Sequence, residues 1–147
     1  PGNQVTYREA DKDFDRLNHF KVEEAGEKVA ILALGDFYQR GEQLSAKIKA
    51  ELGFTPTLIN PRFASGIDKE LLESLSERHQ MVITMEDGIL SGGFGEKIAS
   101  FYGSSDMKVK NYGLDKKFYD RYDPNELLKE VGMTPAQIIA DICNQIK

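Results

Sequence analysis

The sequence predicts an α/β fold: a three-layer α/β/α sandwich around a five-stranded, mostly parallel sheet with one antiparallel edge strand. Three observations predict it. First, Val29-Ala30-Ile31-Leu32-Ala33-Leu34 and Met81-Val82-Ile83-Thr84-Met85 are nearly continuous apolar runs, as expected of strands covered on both faces. Second, the segments between such runs repeat apolar residues at helical spacing, most clearly Leu44, Ile48 and Leu52. Third, the resulting order β-β-α-β-α-β-α-β-α-α makes helices the crossovers, and parallel neighbours need such crossovers.

Residues 1–18 are polar and weakly periodic. They read as an arm or linker from a preceding domain, with one helical turn around Phe14 and Leu17; the domain proper is residues 19–147. Phe20-Lys21-Val22 alternates and Ala25-Gly26-Glu27 supplies a turn, which suggests a short strand and a hairpin into the strand Val29 to Leu34. Asp36 and Gln39 have capping-box spacing at the head of a helix that runs to about Leu52, where Gly53 is a natural stop. Thr57-Leu58-Ile59 is the next strand and Asn60 to Gly66 a loop. Asp68 can cap a helix that buries Leu71, Leu72 and Leu75. The strand Met81 to Met85 ends in Glu86-Asp87-Gly88, and a helix from about Phe94 puts Phe94, Ile98 and Phe101 on one side. Lys108 to Tyr112 carries charge and belongs nearer an edge. Asp123-Pro124-Asn125-Glu126 and Thr134-Pro135-Ala136-Gln137 each combine an N-cap, Pro at N1 and an acid or amide at N3. Gly132 ends the first of these two helices, and the second buries Ile138, Ile139, Ile142 and Ile146.

The 147 residues make one domain, with 40% hydrophobic and 29% charged residues. That balance is globular and excludes disorder as the main state. Nineteen basic against 24 acidic residues leave a formal charge of −5, which argues against nucleic acid and against an anionic membrane surface as partners. No apolar run approaches the ~20 residues of a membrane span. The single cysteine, Cys143, excludes an intrachain disulfide and a cysteine zinc cluster, and points to a reducing compartment, most simply the cytoplasm. Two histidines, His19 and His79, leave little material for a histidine metal site or a Ser-His-Asp triad. The chain opens with Pro1-Gly2 and no signal peptide, so it reads as processed or as a piece of something longer.

In open α/β sheets ligands sit beyond the carboxyl ends of the strands. Three loops fall there: Gly35-Asp36-Phe37, Asn60 to Asp68, and Glu86 to Gly95. Gly92-Gly93-Phe94-Gly95 follows a strand and opens a helix, the context of a phosphate site, yet neither the dinucleotide nor the Walker pattern is completed. The turn either binds an anion or lets the helix pack close to the sheet. Glu86 and Asp87 could do acid–base work or hold a metal, but adjacent residues on an extended segment point to opposite faces, which favours capping or interface hydrogen bonds. Arg62 could grip a phosphate or carboxylate, or fix its own loop. His79 reads as a surface turn residue, His19 as exposed, and Cys143 as a semi-buried structural thiol. The mixed charges of Asp115 to Asp123 read as a solvated loop pinned by aromatics or a docking loop. These residues complete no catalytic constellation.

Taken in order, Gly26-Glu27-Lys28-Val29-Ala30-Ile31-Leu32, Asn60-Pro61-Arg62-Phe63, Ile67-Asp68, Glu86-Asp87-Gly88, Gly92-Gly93-Phe94-Gly95 and Asn111-Tyr112-Gly113-Leu114 with Phe118 resemble the C-terminal domain of the 1-deoxy-D-xylulose-5-phosphate synthases, in the transketolase superfamily. The resemblance implies a parent enzyme that joins pyruvate to glyceraldehyde 3-phosphate with loss of carbon dioxide. It implies that thiamine diphosphate and Mg2+ are held by the upstream domains, and that this domain packs against them and completes a homodimer. No residue here is therefore assigned to catalysis, cofactor or metal. Arg62, Phe63, Asp68, Glu86, Asp87, Gly92, Gly93 and Gly95 are the interface or loop-building candidates. The family's usual Arg before the Gly-Asn, a contact to substrate phosphate, is Pro1 here, which implies a divergent paralogue with another acceptor. The alternatives are a free-standing anion- or nucleotide-binding module and a subunit of a split transketolase-type enzyme.

Overall fold

The computed structural model describes residues 19–62, 67–87, 93–114, 129 and 133–146. Five strands, β1 (Lys21–Glu24), β2 (Lys28–Ala33), β3 (Thr57–Asn60), β4 (His79–Asp87) and β5 (Lys108–Leu114), form one sheet in the order β1-β3-β2-β4-β5. β2 pairs in parallel with both β3 and β4, and β4 in parallel with β5; β1 alone runs antiparallel, along β3. The helices among the described residues are α1 (Tyr38–Leu52), α2 (Lys69–Leu75), α3 (Phe94–Tyr102) and α4 (Pro135–Gln145).

Strand alternation divides the core into two layers. Val29, Ile31 and Ala33 with Met81, Ile83 and Met85 face α1 and α4, where they meet Leu44, Ile48, Ile138 and Ile142. Ala30, Leu32 and Val82 face α2 and α3, where they meet Leu72, Leu75, Phe94 and Ile98. Each fully buried Val, Leu, Ile, Phe or Met among them stabilises the fold by about 1.5–3 kcal/mol relative to exposure. The three-layer sandwich and its central strands are therefore as the apolar runs imply.

The initial hairpin does not form. β2 has both edges taken, by β3 and β4. The Gly26–Glu27 turn is instead stitched to the start of β3: Glu27 N donates to Thr55 O at 2.8 Å and Gly26 N to Thr57 Oγ1 at 2.9 Å. β1 then runs back along β3 at the sheet's edge, which suits its exposed Lys21, Val22 and Glu23.

The helix expected to be capped at Asp36 starts later; the side chain of Asp36 lies outside the described residues. Gly35–Phe37 forms a 3-10 turn, and α1 starts at Tyr38 with Phe37 at its N-cap, where no side chain caps. Buried Phe37 places the helix through packing instead. The stop at Gly53 is as expected, in the left-handed region at φ 78°. In α3 Phe94 and Ile98 are buried and Phe101 packs half-buried against the same core, as expected; Tyr102 is buried with them, and its hydroxyl donates to Leu72 O at 2.6 Å and ties α3 to α2. Around Thr134 the capping box is complete. Along α4, Ile138, Ile139 and Ile142 are buried while Ile146, at the C-cap, is only partly so. Cys143 is exposed rather than semi-buried, because it follows Ile142 by one position, about 100° around the helix. The helix expected from Asp123 to Gly132, and the loop Asp115 to Asp123, lie outside the described residues but for Lys129.

Candidate functional site

At the carboxyl edge of the sheet, β4 ends in a buried carboxylate. Val82, Thr84 and Glu86 alternate toward the α3 side, and Glu86 is 5% exposed. Its Oε1 accepts from Phe94 N at 3.2 Å and its Oε2 from Gly95 N at 2.6 Å. Gly93, the N-cap of α3, has no side chain to cap with, and Glu86 fills that role from the strand below. A helix N-terminus carries unpaired N–H groups and a partial positive charge, so it suits an anion. Here the anion belongs to the protein.

Gly95 is required by close approach. A Cβ there would stand 2.6 Å from Thr84 Oγ1 and 2.7 Å from Asn111 Cγ. Thr84 Oγ1 donates to Asn111 Oδ1 at 2.7 Å across the parallel β4–β5 pair. The glycine turn thus lowers α3 onto a polar patch of the sheet, the close-packing alternative of the two read from Gly92 to Gly95.

Asp68 does for α2 what Glu86 does for α3. Oδ1 accepts from Leu71 N at 3.2 Å and Oδ2 from Phe20 N at 3.0 Å, with His19 Nδ1 at 3.6 Å from Oδ2. The expected cap is present, and it also anchors the chain where it enters β1. His19 is half-exposed rather than fully so. Arg62 follows β3 with φ at 70°, and its backbone N–H donates to Asn60 Oδ1 at 3.0 Å. A left-handed non-glycine residue is held only where its surroundings determine it, here by an Asn side chain that closes the turn. Glu86, Gly93 and Gly95 are therefore brought together under α3, and Asp68 lies beside them at the head of α2. Phe63, Gly92 and the side chain of Asp87 lie outside the described residues.

The amino edge holds a second polar cluster. His79, expected as a surface turn residue, begins β4 half-buried. Its Nδ1 lies 2.9 Å from Leu75 O and its Nε2 2.7 Å from Thr57 Oγ1. The carbonyl can only accept, so Nδ1 carries the proton and Thr57 donates to Nε2 while accepting from Gly26 N. Burial pulls the imidazole pKa below 6.5, in spite of the Leu75 carbonyl, which raises it. The imidazole links α2, β3 and the β1–β2 turn. A cavity of about 660 Å3 opens beside it, with Ser105 and Lys108 on its wall.

The sequence signal for Glu86 was its parity with Val82 and Thr84, followed by a helix whose N-cap is glycine. Thr84, Asn111 and the Tyr112–Asp141 hydrogen bond between β5 and α4 had no local signal. Burial first, and then Asp141, push the Tyr112 phenol well above its ordinary pKa, so it acts as a neutral donor. Among the described residues no three His, Cys, Asp or Glu side chains converge as metal ligands, and no helix is long and apolar enough to cross a membrane.

Comparison with known proteins matches residues 18–138 to the family model described as transketolase, C-terminal domain. A 1-deoxy-D-xylulose-5-phosphate synthase of Prochlorococcus marinus is 31% identical over 144 residues, 97% of this chain and 22% of that protein. A synthase of the same name from Clostridium perfringens is 38% identical over 115 residues, 77% of this chain and 18% of that protein. The chain thus spans about a fifth of the length of these relatives. Among solved structures, a split gene transketolase, described as an inactive beta4 tetramer, superposes with a TM-score of 0.73 at 24% identity, covering 86% of this chain and 42% of that one. This last likeness is one of fold.

Proposed function

The chain belongs to the transketolase C-terminal domain family, and from that premise we propose that it is the C-terminal domain of an enzyme of the 1-deoxy-D-xylulose-5-phosphate synthase type. Such an enzyme joins pyruvate to glyceraldehyde 3-phosphate with release of carbon dioxide. The domain's own task is to pack against the upstream domains and to build a homodimer. The loops at Asn60 to Asp68 and Glu86 to Gly95 present that surface.

The observation that carries this reading is the seal at α3. Where an α/β domain with a glycine turn would receive a phosphate, Glu86 already takes the Phe94 and Gly95 amides. An external anion would have to displace a buried carboxylate, so the free-standing anion-binding alternative loses its site. The described residues do not fit thiamine diphosphate and Mg2+ for the same reason: the turn that would meet a diphosphate is closed, and no ligand set converges. On this reading the upstream domains hold both, and the isolated chain has no turnover of its own.

The test is made in the full enzyme, in the cytoplasm of its source cells. An antibody raised to this domain detects a band several times the size of the 147-residue chain. In that enzyme, Phe63→Glu and Gly93→Arg each weaken the dimer, read by sedimentation velocity. A dimer and an activity that survive both changes overturn the interface role. A band at the size of this chain alone favours the second reading, a subunit encoded apart from its cofactor-binding half; the fold shared with a split gene transketolase supports that arrangement. Co-purification with a thiamine-binding partner chain then separates it from an isolated module.

A further inference from the structure

The cavity of about 660 Å3 beside His79 lies where three helices end. Ser76, on its wall, is the C-cap of α2. Ser105, also on the wall, belongs to the turn that closes α3, where its N–H donates to Tyr102 O at 2.6 Å. Gln145, on the same wall, is the last residue of α4. A helix C-terminus carries roughly half a unit of negative charge on carbonyls that lack a helical donor. A Lys or Arg in the last turn commonly offsets it. α1 has Lys49 in that position, whereas α2, α3 and α4 have no basic residue in their last turns.

The charged side chains of the wall leave this imbalance standing. Asp106 and Lys108 both line the cavity, and among the described residues neither side chain makes an ion pair or a hydrogen bond. Lys108 is the one Lys or Arg on the wall among the described residues, and its charge is matched by that of Asp106. His79 adds no charge, because its imidazole is neutral and both ring nitrogens are committed to Leu75 O and Thr57 Oγ1. The three helix ends are therefore left without a counter-charge. Half-buried Met107 supplies an apolar surface between Asp106 and Lys108. The volume lies within the range of about 300–1,000 Å3 usual for small-molecule sites.

We propose that this cavity binds a small organic cation of the aliphatic diamine class, with one ammonium paired to Asp106, the other set against the helix ends and the methylene chain over Met107. An ammonium group needs only acceptors around it, and the hydroxyls of Ser76 and Ser105, the Gln145 amide and the helix carbonyls are acceptors. A divalent metal ion would need several converging oxygen ligands, and no such set forms among the described residues. The site lies at the opposite edge of the sheet from the loops assigned to domain packing, and it stands whichever enzyme the domain serves.

The test is a calorimetric titration of the whole chain with diaminobutane, with butanediol as the uncharged analogue and with inorganic phosphate. Only diaminobutane is expected to give a saturable isotherm, and its affinity should fall as salt is added. Asp106→Asn should weaken that binding about fivefold. Lys108→Ala, which removes a competing cation, should tighten it about threefold. Glu42→Gln, on the exposed side of α1, lowers the chain's negative charge as much as Asp106→Asn does and should leave binding unchanged. All three variants replace exposed side chains, and melting curves check that each folds. No saturable heat with diaminobutane, or equal binding of butanediol, overturns the proposal without reference to any variant. Phosphate binding that Lys108→Ala abolishes overturns it and makes the cavity an anion site. Equal weakening by Asp106→Asn and Glu42→Gln overturns it too, since the diamine would then respond only to the overall charge of the chain.

Discussion

At the carboxyl edge of the sheet, side-chain carboxylates close two helix N-termini, Glu86 under α3 and Asp68 under α2. At the amino edge an uncharged imidazole, His79, spans α2 and β3. The first edge is held by charge set against helix ends, the second by a neutral group whose single proton is already committed to a carbonyl. In α/β enzymes the carboxyl edge is the chemical one. Here two of its helix N-termini are closed by the protein's own carboxylates. The amino edge depends on an imidazole whose burial pushes its charge change to lower pH.

The largest expected effect falls on the charged seal. Glu86→Ala leaves two buried amides and the positive end of α3 without a partner, and should destabilise the chain by about 3 kcal/mol. Glu86→Gln, which keeps one acceptor, should lose roughly half of that. Urea denaturation measures both; a loss of less than about 1 kcal/mol for Glu86→Ala would show that the seal is not what holds α3. Gly95→Ala should lower stability by about 2 kcal/mol, because the new methyl overlaps Thr84 and Asn111. Pairing it with Asn111→Ala, which removes part of the obstacle, should recover some of the loss in a double-mutant cycle.

The neutral clamp should respond less, and in a different variable. Thr57→Val removes the donor to His79 and the acceptor for Gly26 N, and should destabilise by about 1.5 kcal/mol in thermal or urea melts. The pH response follows from the lowered His79 pKa. The unfolded chain binds a proton at about 6.5, the folded one only at lower pH. The clamp's contribution is therefore complete above pH 6.5 and is lost as pH falls from there through the folded value. Melts at pH 7.5 and 5.5 should show that loss, and His79→Gln should flatten it. An unchanged slope would mean that other groups govern acid sensitivity. The smallest effect belongs to Cys143→Ser, within about 0.5 kcal/mol of the parent, while the native thiol reacts with a disulfide reagent without unfolding, as its exposure requires.

Much of the fold was legible because its signals are local. Apolar runs marked β2 and β4, the Leu44–Ile48 stripe marked α1, and Gly53, Asp68 and Thr134 marked helix ends through contacts no more than four residues away. The site was legible in part. Parity along β4 argued for capping rather than paired-acid chemistry at Glu86 and Asp87, and Glu86 caps α3; the glycine turn was correctly placed at a helix start. His79 was misread because its two partners are a carbonyl four residues back and a hydroxyl 22 residues back, and only the second ties it into the sheet. Cys143 was misread because one position along a helix separates the buried stripe from solvent.

The sequence by itself determined that this is a three-layer α/β domain, which segments lie in the middle of its sheet, and where most helices begin and end. Hydrophobic period and capping chemistry are short-range properties that a chain carries before it folds. Only the tertiary structure decided that β1 lies on β3 rather than on β2, that Glu86 rather than an outside anion closes α3, and that His79 joins the turns of the amino edge. Each of those outcomes depends on which distant groups packing brings within hydrogen-bond reach, 31 residues apart for Gly26 and Thr57 and 22 for Thr57 and His79. In each, a buried polar group takes the partner that the assembled core leaves beside it.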